Sequence, residues 1–423
     1  MVTPQNDLRQ DILRNFCEIF RFLCDKPISL HVLNNNSCFD EFPWAVGQVC
    51  KRWREVFLSY PRLWTSLSLR YHPTDIVDVD RLHEMSRRTL LYLERSKHLP
   101  LTITVCTTCG ETSTSIEDFP RTTWKLLLSC SERWERADLS LSHEPPLLDL
   151  LGCEMPIVKS LKFQVIRIND SHFPLCHPFT IAPRLVDLYI LGWLRGWEFP
   201  WSQLTKVQIP MANRDIINNK TLETVLSQLK NVEELRTSSV YVWRTRDKPD
   251  RSSPPIRLPF LRLLSVSVYV HEMLTWLEAP LLEDLLVVGS EERYCSLTFT
   301  EELSSFIRRS SCHIRRLTLH NGERQLLPNV TKLLSSVEVL CIKMKIGGRG
   351  SFLAKHITQM NDGVYLPNLR ELKVTCHQGR NAEKLMTAVS DLLETRNEES
   401  RLISVRREDR PKSRKARMFM SFK

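Results

Sequence analysis

From about residue 99 onward, one arrangement of apolar and polar positions recurs. A leucine or valine is followed by two variable residues, a second leucine or valine, one variable residue and a third apolar residue. Val158 to Phe163, Leu185 to Ile190, Leu204 to Ile209 and Leu261 to Val266 carry it, as do Leu282 to Val287, Ile314 to Leu319, Val337 to Ile342 and Leu369 to Val374. Shorter versions lie at Ala137 to Leu141 and Val232 to Leu235. Alternation of this kind predicts strands with one buried side. Between them, Leu222 to Leu229, Glu301 to Arg309 and Ala382 to Thr395 read as helices, and Pro-x-Leu triplets at Pro183, Pro259, Pro280 and Pro367 lead into four of the strands.

The central apolar residues, counted from Leu139, are spaced 22, 27, 19, 28, 29, 21, 32, 23 and 32 residues apart, about 26 on average. That is the range of leucine-rich repeats, irregular in length and without their asparagine ladder. A unit of this size cannot bury its apolar side alone, so stacking into a curved parallel sheet with helices outside is expected. A compact α/β domain with parallel strands would share the pattern; ten recurrences favour the repeat array. Strand alternation turns the residues between the leucines onto one shared face. Lys162, Tyr189, Gln208, Arg236, Leu286, Arg316, Lys343 and Lys373 on that face are the candidate contacts to a protein substrate. Both charge signs, leucines and a tyrosine mix there, which suits a protein partner better than nucleic acid.

A different pattern occupies residues 42–69. Val46, Val49, Cys50 and Trp53 fall at i, i+3, i+4 and i+7, the apolar stripe of a helix whose other side carries Gln48, Lys51, Arg52 and Arg54. Pro61 ends that helix, and Leu63, Leu67 and Leu69 begin an alternating strand. Asp25 to Glu41, with Asn34-Asn35-Asn36-Ser37, reads as a polar loop.

The run Phe42-Pro43-Trp44-Ala45-Val46-Gly47-Gln48-Val49-Cys50-Lys51-Arg52-Trp53-Arg54, with Pro61-Arg62-Leu63-Trp64 after it, resembles the second half of the F-box-like domain of the large fungal F-box families. Those domains begin with a helix containing Leu-Pro-Pro-Glu. Here Asp7-Leu8-Arg9-Gln10 stands in that place, with Arg9 and Gln10 instead of the prolines, and Ile12, Phe16, Ile19, Phe20 and Leu23 continue the stripe. The resemblance covers residues 7–70 and implies a non-catalytic, substrate-recruiting subunit of an SCF-type (cullin) ubiquitin ligase. The helices would bind the ligase's adaptor subunit and, through it, a cullin; the repeat face would hold a protein substrate. The adaptor contacts it implies are Leu8, Ile12, Phe16, Phe20, Pro43, Trp44, Val46, Val49, Cys50 and Trp53. The expected organisation is α+β overall: an F-box-like helical module over 1–70, an α/β leucine-rich-repeat solenoid over 71–400, and a basic, disordered tail over 401–423. Two alternatives stay open, namely an interaction scaffold that has lost its adaptor and a nucleic-acid-associated protein acting through the tail.

Charge bears on the second alternative. The chain carries +10 overall, but nine Lys or Arg from Arg401 onward stand against only Glu408 and Asp409, a net +7 that leaves +3 for the other 400 residues. The tail is a solvated end, a nuclear localisation signal or a weak phosphate contact. Thirteen cysteines scattered through apolar segments, with no secretory start and no apolar run of spanning length, point to the cytoplasm or nucleus and away from a membrane.

Little in the sequence points to catalysis or a cofactor. Cys106-Thr107-Thr108-Cys109 has metal-ligand spacing but no second pair, and His172, Cys176 and His177 form a weaker group. Gly347-Gly348-Arg349-Gly350 lacks the Lys-Ser or Lys-Thr of a phosphate loop. No nucleophile elbow, zinc-protease pair or dinucleotide fingerprint is present. Trp193, Trp197 and Trp201 read as loop packing, with an aromatic anchor for a partner as the sharper alternative.

Overall fold

The computed structural model describes residues 28–31, 50–71, 79–107, 121–141, 149–150, 153–165, 179, 181–191, 198–211, 219–239, 254–289, 296–320, 326–344, 350–359, 365–376, 384, 387–392 and 404–405. The chain is α/β and divides into two compact units, Met1–Asn218 and Asn219–Lys423.

In the first unit seven parallel strands neighbour one another in chain order: β1 (Ile28–His31), β2 (Ser66–Tyr71), β3 (Leu101–Thr107), β4 (Trp134–Leu141), β5 (Ser160–Val165), β6 (Asp187–Leu191) and β7 (Lys206–Met211). Helices α1 (Lys51–Ser59), α2 (Val79–Arg95) and α3 (Arg121–Leu128) lie between the earlier strands. Register places Leu67, Ile103, Ala137, Leu161, Leu188 and Val207 in one row, and each is 4% exposed or less. Burying such a row on one side is the main driving force for the stack, at roughly 1.5–3 kcal/mol per large apolar side chain.

Two expectations change here. Register sets Ala137 rather than Leu139 opposite Leu161, because Leu139 faces Phe163 in the next buried row. The sheet also begins before residue 71: β2 spans the predicted boundary, and β1 falls within the segment read as a polar loop. Ile28-Ser29-Leu30 alternates, but over too few residues to stand out from the asparagines that follow.

The second unit repeats the plan with β8 (Glu234–Ser239), β10 (Leu263–Ser267), β12 (Asp284–Val288), β13 (Arg316–His320), β14 (Val339–Met344), β15 (Glu371–Cys376) and β16 (Ser404–Val405), again parallel and in chain order. Two two-residue strands, β9 (Ile256–Arg257) and β11 (Leu277–Glu278), pair separately. Leu235, Leu264, Leu285, Leu317, Leu340 and Leu372 share one register row and are 1% exposed or less. Connecting helices are α4 (Asn219–Gln228), α5 (Ser296–Ser310), α6 (Leu326–Leu333) and α7 (Gly350–Gln359). The helices expected at 222–229 and 301–309 correspond to α4 and α5, while of 382–395 the described residues 387–392 are helical. β16 lies inside the segment assigned to the basic tail and extends the sheet by one strand.

The Pro-x-Leu triplets acquire a mechanical role. Leu185, Leu261, Leu282 and Leu369 each donate their N–H to the carbonyl three residues back, at Ala182, Leu258, Ala279 and Leu366, closing a four-residue turn before the strand. Pro183, Pro259, Pro280 and Pro367 occupy its second position, where the turn requires the backbone angle that proline already fixes. Met155-Pro156-Ile157-Val158 and Tyr60-Pro61-Arg62-Leu63 close in the same way.

Arginines finish two of the helix-to-strand joins. Arg133 donates to the Leu99 carbonyl from Nε and Nη2 (3.2 and 3.0 Å) and to Ser96 Oγ (2.7 Å). Arg309, near the end of α5, donates to the Leu277 carbonyl (3.0 and 2.8 Å) and the Leu274 carbonyl (2.5 Å). We expect Arg309→Ala to lower stability by about 1–3 kcal/mol, with Arg309→Lys recovering only part of it because an ammonium cannot span both carbonyls; denaturant unfolding measures this. After α5, Ser311 holds φ 50°, a left-handed helix end that glycine adopts more cheaply. Ser311→Gly should therefore raise the unfolding free energy by about 0.5–1 kcal/mol in the same assay.

Candidate binding surface

The described part of the run Phe42 to Trp64 is built around one buried side chain. Trp64 is fully buried in the 3-10 turn Pro61–Trp64, and its indole Nε1–H donates to the Phe57 carbonyl at 3.2 Å. Its ring lies 4.6 Å from Phe57 and 4.9 Å edge-on from Tyr92 of α2, with the Arg95 guanidinium 4.4 Å over it. The end of α1, the start of β2 and α2 are thereby clamped together. α1 turns Lys51, Arg54, Glu55 and Leu58 to solvent and keeps Trp53 half-buried.

Cys50 departs from expectation. Its backbone is extended (φ −161°, ψ 168°) and its Sγ accepts from the Trp53 N–H at 3.5 Å, so it caps α1. Among the described residues, α1 therefore begins at Lys51, and Cys50 is its cap rather than a position on its apolar stripe. Leu8, Ile12, Phe16, Phe20, Pro43, Trp44, Val46 and Val49 lie outside the described residues.

On the sheet of the first unit, register lines up Thr104, Asp138, Lys162, Tyr189 and Gln208 as neighbours on the side opposite the leucine row. Lys162 Nζ is 3.0 Å from Asp138 Oδ2 and 5.6 Å from the centre of the Tyr189 ring, so one cation is shared between an acid and an aromatic face. Burial, and then the Asp138 charge, push the Tyr189 phenol above its ordinary value. In the parallel row Ser160 Oγ donates to Asp187 at 3.1 Å. Asp138 was missed by sequence reasoning; aligning β4 on Ala137 rather than Leu139 would have found it, since that register makes Asp138 the neighbour of Lys162.

On the second unit, Arg236, Ser265, Leu286, Thr318, Cys341 and Lys373 form the corresponding row. Arg316 reaches Asp284 at 3.1 Å, Lys373 reaches Glu371 at 2.7 Å, and Arg236 reaches Glu234 at 3.5 Å, while the Arg236 Nε is buried without a partner. Leu286 is half-buried. Lys343 differs, since among the described residues no acid lies within ion-pair distance of it, and it neighbours His320 across β13 and β14. All eight residues predicted for the outward side are thus exposed or half-buried, Lys162, Tyr189 and Gln208 in the first unit and the other five in the second.

The remaining candidates resolve more quietly. Among the described residues no three His, Cys, Asp or Glu gather as a metal group, and Cys50, Cys106, Cys130, Cys153, Cys312 and Cys341 are free thiols. Burial raises the thiols of Cys106, Cys130, Cys153 and Cys312, which keeps them protonated and poor as metal ligands. Cys109, His172, Cys176, His177, Trp193, Trp197 and Gly347 to Arg349 lie outside the described residues. Trp201 is buried, edge-on to Phe199, which stacks on Phe179 and so continues to Phe163 of β5. No described helix is long and apolar enough to cross a membrane.

No family model matches the chain, and no curated protein matches it. A solved crystal structure of a protein from Bacteroides fragilis aligns over 82% of this chain and 75% of its own, at 12% identity and a TM-score of 0.32, a likeness too slight to carry an argument.

The His320 ring generates a pH prediction. Burial first, and the Lys343 charge second, lower its pKa from 6.5 to about 4. A folded value below the unfolded one means that the unfolded chain binds the proton more readily, so stability falls as pH drops from 6.5 towards 4. With allowance for solvent screening of this partly exposed ring, the loss is on the order of 1 kcal/mol. His320→Gln should remove that slope from urea unfolding curves, and Lys343→Gln should raise the His320 pKa in an NMR titration.

Proposed function

We propose that this chain is a substrate-recruiting subunit of a cullin-type ubiquitin ligase. It docks the ligase's adaptor subunit through its N-terminal, F-box-like segment and holds a protein substrate on the outward side of a leucine-rich-repeat solenoid. It performs no ubiquitin transfer; its contribution is to raise the concentration of substrate beside an enzyme recruited elsewhere in the assembly. The observation that carries this reading is the Trp64 clamp. The Leu-Trp of the F-box-like run locks the end of α1 and α2 together at the start of β2, so a partner held by α1 and one held on the sheet would keep a fixed relation. A flexible tether would bring substrate near the enzyme but would not orient it.

The mixed outward rows support the second half of the reading. Alternating acids, cations, Tyr189 and Leu286 offer hydrogen bonds and apolar area in small, separate patches, the composition of a protein-binding face. The resemblance supports the first half, most strongly in Phe42 to Trp64, where Trp44 and Trp53 are the anchors with the greatest apolar area.

A pull-down with the purified adaptor subunit tests the docking. Retention of the full chain, weakened at least about tenfold by Trp44→Ala or Trp53→Ala in proteins with unchanged unfolding midpoints, is the expected result. A folded chain that the adaptor does not retain sinks the ligase reading and leaves the scaffold, which the absence of the two prolines beside Leu8 favours. Proteins that accumulate when the chain is deleted name the substrate, whose capture should fall with Lys162→Glu or Tyr189→Ala.

A further inference from the structure

One row in the second unit has a property beyond its pairing within the chain. Immediately before the strands stand Glu233, Arg262, Glu283, Arg315, Glu338 and Arg370, and their charges alternate in sign without a break. They are structural neighbours because each backbone N–H donates to the carbonyl of the member before it: Arg262 to Glu233 (2.9 Å), Glu283 to Arg262 (3.0 Å), Arg315 to Glu283 (2.8 Å), Glu338 to Arg315 (2.8 Å) and Arg370 to Glu338 (2.8 Å). All six are exposed or half-buried. The side-chain pairs recorded within the row are long and open to water, 3.9 Å for Arg262–Glu283 and 3.7 Å for Arg370–Glu338. Pairs of that kind hold little energy and leave the charges available to a partner.

An alternating row with an even number of members is complementary to itself when read in the opposite direction. Turned about a two-fold axis between Glu283 and Arg315, the row sets Glu233 against Arg370, Arg262 against Glu338, and Glu283 against Arg315 of the other copy. Every contact is then between opposite charges. At the spacing of neighbouring strands the row is about 24 Å long, enough for a continuous strip of contact. Two residues upstream, Phe260 and Leu281 occupy equivalent positions on adjacent turns and are 51% and 46% exposed. They supply apolar area beside the axis that ion pairs alone lack. The corresponding row of the first unit has no such property, since Glu135 and Lys159 are followed by Val186 and Thr205.

We propose that a second copy of this chain docks on this edge, forming an isologous dimer through the self-complementary charge row, with Phe260 and Leu281 covered beside the axis. The dimer forms at low ionic strength and weakens as salt screens the exposed charges.

Charge swaps separate this from pairing within one chain. Glu283→Arg alone places like charges together twice across the axis and should weaken dimerisation by at least about tenfold. Adding Arg315→Glu restores opposition across the axis. Within each chain the same double swap sets a second cation beside Arg262 and a second acid beside Glu338, so dimerisation should return although the order within the chain is now worse. Sedimentation equilibrium of the full chain at low and high salt reads this out, with the unfolding midpoint of each variant confirming that it is folded. Arg262→Glu with Glu338→Arg provides a second swap of the same logic should the first fail to fold. A wild-type chain that is monomeric at low salt, or folded double swaps that stay monomeric, would overturn the proposal, as would a dimer indifferent to the single reversals.

Discussion

Five strands of the second unit, β10 and β12 to β15, enter the sheet by giving two consecutive backbone N–H groups to the one carbonyl at the leading edge of the preceding strand. Arg262 and Leu263 donate to Glu233, Glu283 and Asp284 to Arg262, Arg315 and Arg316 to Glu283, Glu338 and Val339 to Arg315, and Arg370 and Glu371 to Glu338. In the first unit Val186 and Asp187 share the Lys159 carbonyl, and Thr205 and Lys206 share that of Val186. The remaining organisation depends on this shared carbonyl because it sets register. Once two donors are committed to one acceptor, the next leucine can fall only opposite the previous leucine, and a slip by one residue would turn the whole apolar row to water.

Register fixed at the leading edge frees everything after it. The distance from one leucine to the next ranges from 21 to 32 residues between β10 and β15, yet Leu264, Leu285, Leu317, Leu340 and Leu372 stay in one row. The surplus goes into whichever connection suits the length. Between β10 and β12 the chain runs through the 3-10 segment Val268–Thr275, the short β11 and the turn that holds Pro280, whereas the longer stretch before β13 carries the fifteen-residue α5, whose Phe299, Leu303 and Phe306 reach the core. Loop length costs little entropy compared with a misplaced core row. Irregular spacing and regular register are therefore compatible, and a sequence can drift in the first while the second is preserved.

The same physics explains what could be read in the sequence. Leucine rows and Pro-x-Leu turns are legible because their chemistry is local: alternation is a two-residue property and proline fixes its own angle. β3 alternates cleanly in Leu101-Thr102-Ile103-Thr104-Val105, but Pro100 stands where the pattern has its first leucine or valine and Ile103 where it has its second, so the strand was not among the ten recurrences. β9 and β11 are two residues each and exist only because Ile256 N–H finds the Trp276 carbonyl and Leu258 N–H that of Glu278, pairings with no local signature. Cys50 reads as one more apolar position in a stripe until its extended backbone and its bond from Trp53 make it a cap. The outward side was legible as a set of residues and illegible as a set of contacts, since the share of Lys162 between Asp138 and Tyr189 depends on register, which is a tertiary fact.

That distinction bears on where recognition energy resides. A cation already held by a neighbouring acid, like Lys162, Arg316 or Lys373, must exchange one partner for another on binding, and the net gain is small. Leu286 has no such prior commitment of its apolar surface, and covering it releases water whatever the partner's charge. In the proposed binding of a protein partner, the charged rows would act mainly on register and selectivity, rejecting partners whose like charges fall opposite, while the few apolar residues set between them would supply the affinity. On a face built from such rows, specificity resides in the order of the strands, and the shared carbonyls at the leading edge that keep the core in register also fix which charges stand side by side.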